Sequence, residues 1–146
     1  MKPLDFYRLG LQMASSASSE TEYRTAISRI YYGLHHESCC RYFRREVAPA
    51  PLNRNRRHTE LRDRFNSLSG TASNTIGGRL NDLIIIRNEA DYQLVSPLRY
   101  KGRSYSVEQL IYRAVSLAQE LLDALETYSP GEASDGCNCP TVYSSR

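Results

Sequence analysis

The chain has 146 residues and a mass of 16.7 kDa, with 40% hydrophobic and 24% charged side chains, a length that fits one compact domain with a single core. Its longest aliphatic run, Leu83 to Ile86, is far too short to span a bilayer, and the charged start MKPLDFYRLG lacks the apolar stretch of a secretory signal, so neither membrane insertion nor export by that route is expected. The net charge is only +3, yet seventeen of the nineteen cations are arginine and only Lys2 and Lys101 are lysine, which favours cations held in fixed geometry, because the guanidinium is a planar fork of donors.

Apolar periodicity predicts helix almost throughout. A first helix runs from about Leu4 to Ser15, patterned by Leu4, Leu11 and Met13. Ser19 and Glu22 then have the spacing of a capping box, in which each side chain satisfies a free backbone N–H of the other residue. Behind them Tyr23, Ala26, Ile27, Ile30, Tyr31, Leu34 and Ser38 follow the i, i+3, i+4, i+7 rule, giving a long second helix that runs to about Glu46. Pro49 and Pro51 end it. A short helix from about Thr59 to Leu68, a Ser/Gly/Asn loop and a fourth helix from about Asn74 to Leu94 follow. After the turn-like SPLRYKGRSY, a second capping box at Ser106 and Gln109 opens a fifth helix, with an apolar stripe from Val107 to Leu125. Residues 129–146 lack periodicity and read as a flexible tail on a 1–128 helical domain. The expected fold class is all-α, an up-and-down bundle of four or five helices.

Three features of this pattern carry functional expectations. On the second helix Tyr32, His36, Cys39 and Phe43 form another stripe, opposite the core face. A helix apolar on two sides must be covered on both, either by its own chain or by a second subunit, and the expectation taken here is a homodimer built partly on that stripe. The four cysteines read as unpaired: Cys39 and Cys40 are adjacent, and Cys137 and Cys139 lie in the polar tail. Their spacing does not match a structural zinc site either, so no metal or other cofactor is expected, and a reducing cytoplasm is the simplest setting. On the fourth helix Arg87 falls within the apolar stripe of Ile76, Leu80, Leu83 and Ile84, with Asp91 one turn later as its i, i+4 partner. That arrangement reads either as a fixed salt bridge or as a guanidinium held ready for a phosphate.

Eight arginines lie between Arg41 and Arg64, where the only acids are Glu46, Glu60 and Asp63, so this span is more basic than the whole chain. Its densest part, Arg54, Arg56, Arg57 and His58, sits in a Pro-flanked loop and has the charge segregation of a phosphate-backbone footprint.

Two stretches resemble a known family. SRIYYGLHHESCCRYF, Ser28 to Phe43, is similar to the S-R-x-Y-Y-A-x-F-H segment of HEPN domains, and RNEADY, Arg87 to Tyr92, is similar to the R-N-x-A-D-Y form of that family's second signature. The resemblance covers roughly Leu4 to Tyr128 and implies a dimerising helical bundle with both signatures beside a shared cleft. It further implies a nucleic-acid or nucleotide ligand, a place in a toxin–antitoxin or defence system, and a partner such as an antitoxin or nucleotidyltransferase. Many members are metal-independent RNases that use an Arg followed roughly four to six residues later by a His, the His moving a proton and the Arg stabilising charge. Arg87 matches that arginine, whereas Tyr92 stands where the histidine would be and no histidine follows His58. The family-derived expectation is therefore RNA or nucleotide binding through Arg87 and Asn88, with Arg87, Asp91 and Tyr92 as candidate catalytic groups and cleavage weak or absent. A live RNase using Tyr92, Asp91 or a distant histidine is the first alternative. A helical interaction module for a nucleotidyltransferase-type partner is the second.

Overall fold

The computed structural model describes residues 1–143. It is an all-α bundle of five helices, α1 (Pro3–Ser16), α2 (Glu20–Arg45), α3 (Arg57–Ser67), α4 (Thr71–Tyr92) and α5 (Val107–Tyr128), with four short strands, β1 (Leu52–Asn53), β2 (Leu98–Tyr100), β3 (Arg103–Tyr105) and β4 (Thr141–Val142). No helix among these residues is long and apolar enough to cross a membrane. Both capping boxes form. Ser19 Oγ accepts from the Glu22 N–H at 3.3 Å while the Glu22 carboxylate accepts from the Ser19 N–H at 3.0 Å. Ser106 and Gln109 do the same at 3.1 and 3.0 Å.

Helix α2 is the axis of the bundle, packed against α1, α4 and α5. Its low amphipathicity follows from that position, since a helix covered on every side has no solvent face to keep polar. The α1–α2 approach is backbone to backbone. A Cβ on Gly33 would lie 2.5 Å from the Tyr7 nitrogen and 3.0 Å from the Pro3 carbonyl, and one on Gly10 would lie 2.8 Å from the Ile30 nitrogen. The core runs from Leu4 and Tyr7 through Ile27, Ile30, Tyr31 and Leu34 to Ile76, Leu83, Leu110, Leu117 and Leu121.

The structure corrects the sequence reading in three places. The segment SPLRYKGRSY is a hairpin rather than a loose turn: β2 pairs antiparallel with β3, and Lys101 and Gly102, at φ 49° and 74°, provide the two left-handed residues a tight hairpin needs. Leu98 and Tyr100 bury their side chains on the core face of this hairpin.

The second correction concerns the tail. Residues 129–143 double back along α2, and only 144–146 of the expected flexible segment lie outside the described residues. Arg44 Nη2 donates to the carbonyls of Ser129, Pro130 and Gly131 at 2.8, 3.0 and 2.8 Å. The Ala133 N–H donates to Glu37 Oε1 at 2.9 Å. Disulfides join Cys39 to Cys139 and Cys40 to Cys137, with Cα separations of 5.7 and 6.3 Å, and β4 pairs in parallel with β1. The expectation of four unpaired thiols fails because pairing needs only spatial proximity, which a bundle supplies between residues about a hundred apart in sequence. Unpaired cysteines consequently no longer argue for a reducing compartment.

The third correction follows from the second. Cys39, assigned to a dimer face, has no solvent exposure, because the chain's own tail covers it. His36 and Phe43 are half-buried, and of that stripe only Tyr32 reaches substantial exposure.

The disulfides close loops of 100 and 97 residues. A crosslink typically contributes about 2–4 kcal/mol, and a second that closes nearly the same loop adds less. At about 2–4 °C per kcal/mol for a chain of this size, reductant should lower the unfolding temperature by about 5–15 °C. Non-reduced protein should bind no alkylating reagent, and alkylation at four thiols before reduction would count against the pairing.

Candidate functional site

The two segments that carried the family resemblance face each other across α2 and α4. Arg87 is 8% exposed, and its guanidinium carbon lies 5.3 Å from the ring centroids of both Tyr31 and Tyr32 and 5.8 Å from that of Tyr92. The tyrosine faces attract the cation through their ring quadrupoles. Nη1 donates to Asp91 Oδ2 at 3.3 Å and to Tyr92 Oη at a limiting 3.5 Å. The other Asp91 oxygen accepts from Ser28 Oγ at 2.6 Å. Asp91 is thus divided between α2 and α4 and holds Arg87 by a single long contact, not by the bidentate clasp of a structural ion pair. Arg87 Nε is buried without a hydrogen-bond partner among the described residues. Burial works against the charge on Arg87, but the nearby tyrosines and Asp91 outweigh it and its pKa is raised.

His58 joins this cluster from the first turn of α3. The sequence placed it in a basic loop, but α3 begins at Arg57 and turns the imidazole inward. Its Nδ1 lies 2.6 Å from Tyr31 Oη, and its ring lies 5.8 Å from that of Tyr32 and 4.5 Å from that of His35. Burial, followed by the charges of Arg57 and Arg87, lowers the His58 pKa to about 4. Burial and then His58 lower that of His35 to about 3, and His35 Nε2 has no partner among the described residues. Burial pushes Tyr31 upward. These three groups move away from neutrality, which disfavours proton transfer at pH 7, where a general base works best near its own pKa.

The remaining predicted residues divide. Tyr92 is 74% exposed and lies over Arg87 from the solvent side. Asn88 is exposed on α4, with no contact joining it to Arg87 among the described residues. The eight-arginine patch does not form one surface. Arg41 is buried against Glu37 and Glu126 at 2.7 and 2.8 Å, Arg44 caps the end of α5, and Arg45 stacks on Tyr128 at 4.3 Å. Arg62 donates to Asp63 and Asn81, and Arg64 pairs with Glu60 at 2.8 Å. Arg54 stacks on Tyr143 at 5.0 Å. That leaves Arg56 exposed just before α3 and Arg57 half-buried at its first residue, beside His58. Tyr31 and Ser28 are members of the cluster that the sequence did not single out as site residues. The i, i+4 spacing of Tyr31 and His35, and of Ser28 and Tyr32, placed them on shared faces of α2, but nothing in one helix shows which other helix faces them.

Among the described residues no group of three His, Cys, Asp or Glu side chains is arranged to hold a metal ion. No protein-family model, curated protein or solved structure matches the chain.

The buried His35 and the half-buried His58 set a pH dependence. In the unfolded chain a histidine titrates near about 6.5, well above the folded values for His58 and His35. The unfolded state therefore binds more protons in acid, and stability falls with pH. The contribution is complete above about pH 6.5 and declines as the pH drops toward about 4 for His58 and about 3 for His35. Thermal melts from pH 7.5 to 4 should show this decline. His58→Gln should flatten it while lowering the melting temperature at pH 7.5, and an unchanged slope would contradict the buried placement.

Proposed function

We propose that this domain binds RNA through Arg87, as a HEPN-like component of a toxin–antitoxin or defence system, with cleavage weak or absent. The observation that carries the reading is a buried guanidinium that the chain itself leaves under-coordinated. Arg87 uses one terminal nitrogen for its intramolecular bonds, keeps Nε unpaired, and stands on two tyrosine faces behind an exposed third. A phosphate oxygen is the partner a guanidinium fork matches best. Arg56 and Arg57, beside His58, extend the positive field along the same side and supply phosphate contacts without base reading. The shifted imidazoles favour binding over catalysis, because an imidazole near pKa 4 is a feeble base at neutral pH.

One observation favours a second reading, a metal-independent RNase. His58 shares Tyr31 and Tyr32 with Arg87, so a histidine stands near the arginine even though none follows it in sequence.

Binding of a labelled single-stranded RNA, followed by fluorescence anisotropy, should weaken at least about tenfold in Arg87→Ala, equivalent to about 1.4 kcal/mol, with the helical circular dichroism unchanged. Wild-type affinity in that variant would remove the proposal. In the Arg56→Ala/Arg57→Ala double variant the slope of log affinity against log salt should become shallower by about one to two. Incubation of the same RNA with the wild-type protein and a chelator decides between the readings. The binding reading expects no cleavage above background, whereas cleavage that disappears in His58→Ala establishes the second.

A further inference from the structure

Tyr32 lines two cavities at once. On one side an apolar cavity of about 360 Å³ lies between the start of α1, the middle of α2 and the returning tail, with Phe6, Tyr32, Gly33, His36, Cys137 and Asn138 in its wall. On the other side an open groove of about 400 Å³ passes Thr25, Ser28 and Arg29 and ends at Asp91, beside the Arg87 cluster. Arg29 stands at the seam. Its guanidinium carbon lies 5.1 Å over the ring of Phe6 while the side chain lines the groove, and no carboxylate pairs with it among the described residues. Arg87 lies behind the same tyrosine, 5.3 Å from its ring.

We infer that the apolar cavity is a nucleobase site, in which one base of the bound RNA enters between Phe6 and Tyr32 while its flanking phosphates lie on Arg29 and Arg87. This rests on the reading of Arg87 as a phosphate ligand and adds to it where the base goes. The cavity volume lies at the small end of the range for organic ligands, about 300–1,000 Å³, which suits a base with part of its ribose. Its chemistry suits the same occupant: aromatic walls stack on a base of any sequence, and cations at the rim match the charge of the phosphates that flank the base. Asn138 offers a side-chain amide, both donor and acceptor, toward a base edge.

Two features of the bundle also shape the cavity. Gly33 forms its floor, where a Cβ would collide with the α1 backbone. Its outer wall is tail, and the Cys40–Cys137 disulfide fastens that wall one residue from Asn138. Without the tail, Tyr32 and His36 would border open solvent and the cavity would lose its outer wall.

The test compares a labelled eight-nucleotide RNA with a matched strand of abasic ribose phosphates, using the whole oxidised protein. Wild-type protein should bind the normal strand about tenfold or more tightly than the abasic one, the scale of one base–aromatic stack. Phe6→Ala should erase most of that preference by weakening the normal strand and leaving the abasic strand almost unchanged. Asn138→Ala, an exposed site whose substitution leaves the bundle intact, should reduce the preference a fewfold and guards against a folding defect in Phe6→Ala. If both variants keep the full preference while Arg87→Ala still loses binding, the cavity is not the base site and the Arg87 reading stands. Equal binding of both strands by the wild-type protein also overturns the base site. Wild-type affinity in Arg87→Ala, or no RNA binding at all, removes the Arg87 reading and this inference with it.

Discussion

Glu37 is a carboxylate with no solvent exposure, on the helix that packs against α1, α4 and α5. Removing a charge from water is costly unless partners replace the lost hydration. Here Oε1 accepts from Arg41 Nε at 2.7 Å and from the Ala133 N–H at 2.9 Å. Arg41 in turn donates to Glu126 and to the Ser129 carbonyl. Holding Glu37 Oε1 therefore takes one turn of α2, the end of α5 and the start of the tail together, while Oε2 is buried without a partner among the described residues. Removing either member of such a buried pair costs about 3–5 kcal/mol, because the other is left unpaired. The tail's path is set by this network as much as by its disulfides, which add covalent closure to a segment already held by hydrogen bonds.

That constraint separates what α2 shows to solvent from what it hides. With the tail in place, Cys39 and Cys40 are covered, while His36 and Phe43 of the same stripe are half-buried and Tyr32 is exposed. Tyr32 is the most exposed member, and its ring lies 5.3 Å from the Arg87 guanidinium carbon. The same helix presents Ser28, Tyr31 and Tyr32 to Arg87 and Asp91. A helix fixed on three sides by packing and on a fourth by a crosslinked strap is a stiff support, and stiffness matters for a site whose cation is held by ring faces and one long hydrogen bond.

How much was legible follows from the range of each signal. Capping boxes and apolar stripes act within a few residues, so α2 and α5 could be read with their starts at Ser19 and Ser106, and Arg87–Asp91 could be read as an i, i+4 pair. The hairpin escaped because two three-residue strands are too short for alternation to register, although Lys101-Gly102 carried a usable turn signal. The tail escaped for the opposite reason. Cys39 and Cys139 are a hundred positions apart, and only the folded bundle makes them neighbours. His58 was read in a charged loop because arginines flank it. One turn of α3 then reverses its environment, from solvent to the tyrosine Tyr31, and takes its neighbour Arg57 out of the loop with it.

The arginine excess resolves in the same physical terms. Arg41, Arg44, Arg62 and Arg64 have carboxylate or carbonyl partners within their own chain, so a nucleic-acid role is not needed to explain their clustering. Arg87 differs from these four. A side chain this buried normally has its donors matched, since an unmatched buried donor costs about 1–3 kcal/mol. Arg87 keeps Nε unmatched while its carboxylate neighbour is shared with Ser28, and the tyrosine over it is the most exposed ring of the three. A Tyr92 displaced from that position would leave a desolvated, pre-oriented fork facing outward. On the proposed reading, the residual cost of an under-coordinated cation is borne in the free protein and would be relieved when an anion completes the shell, so the imperfection in the packing would itself be a basis for affinity.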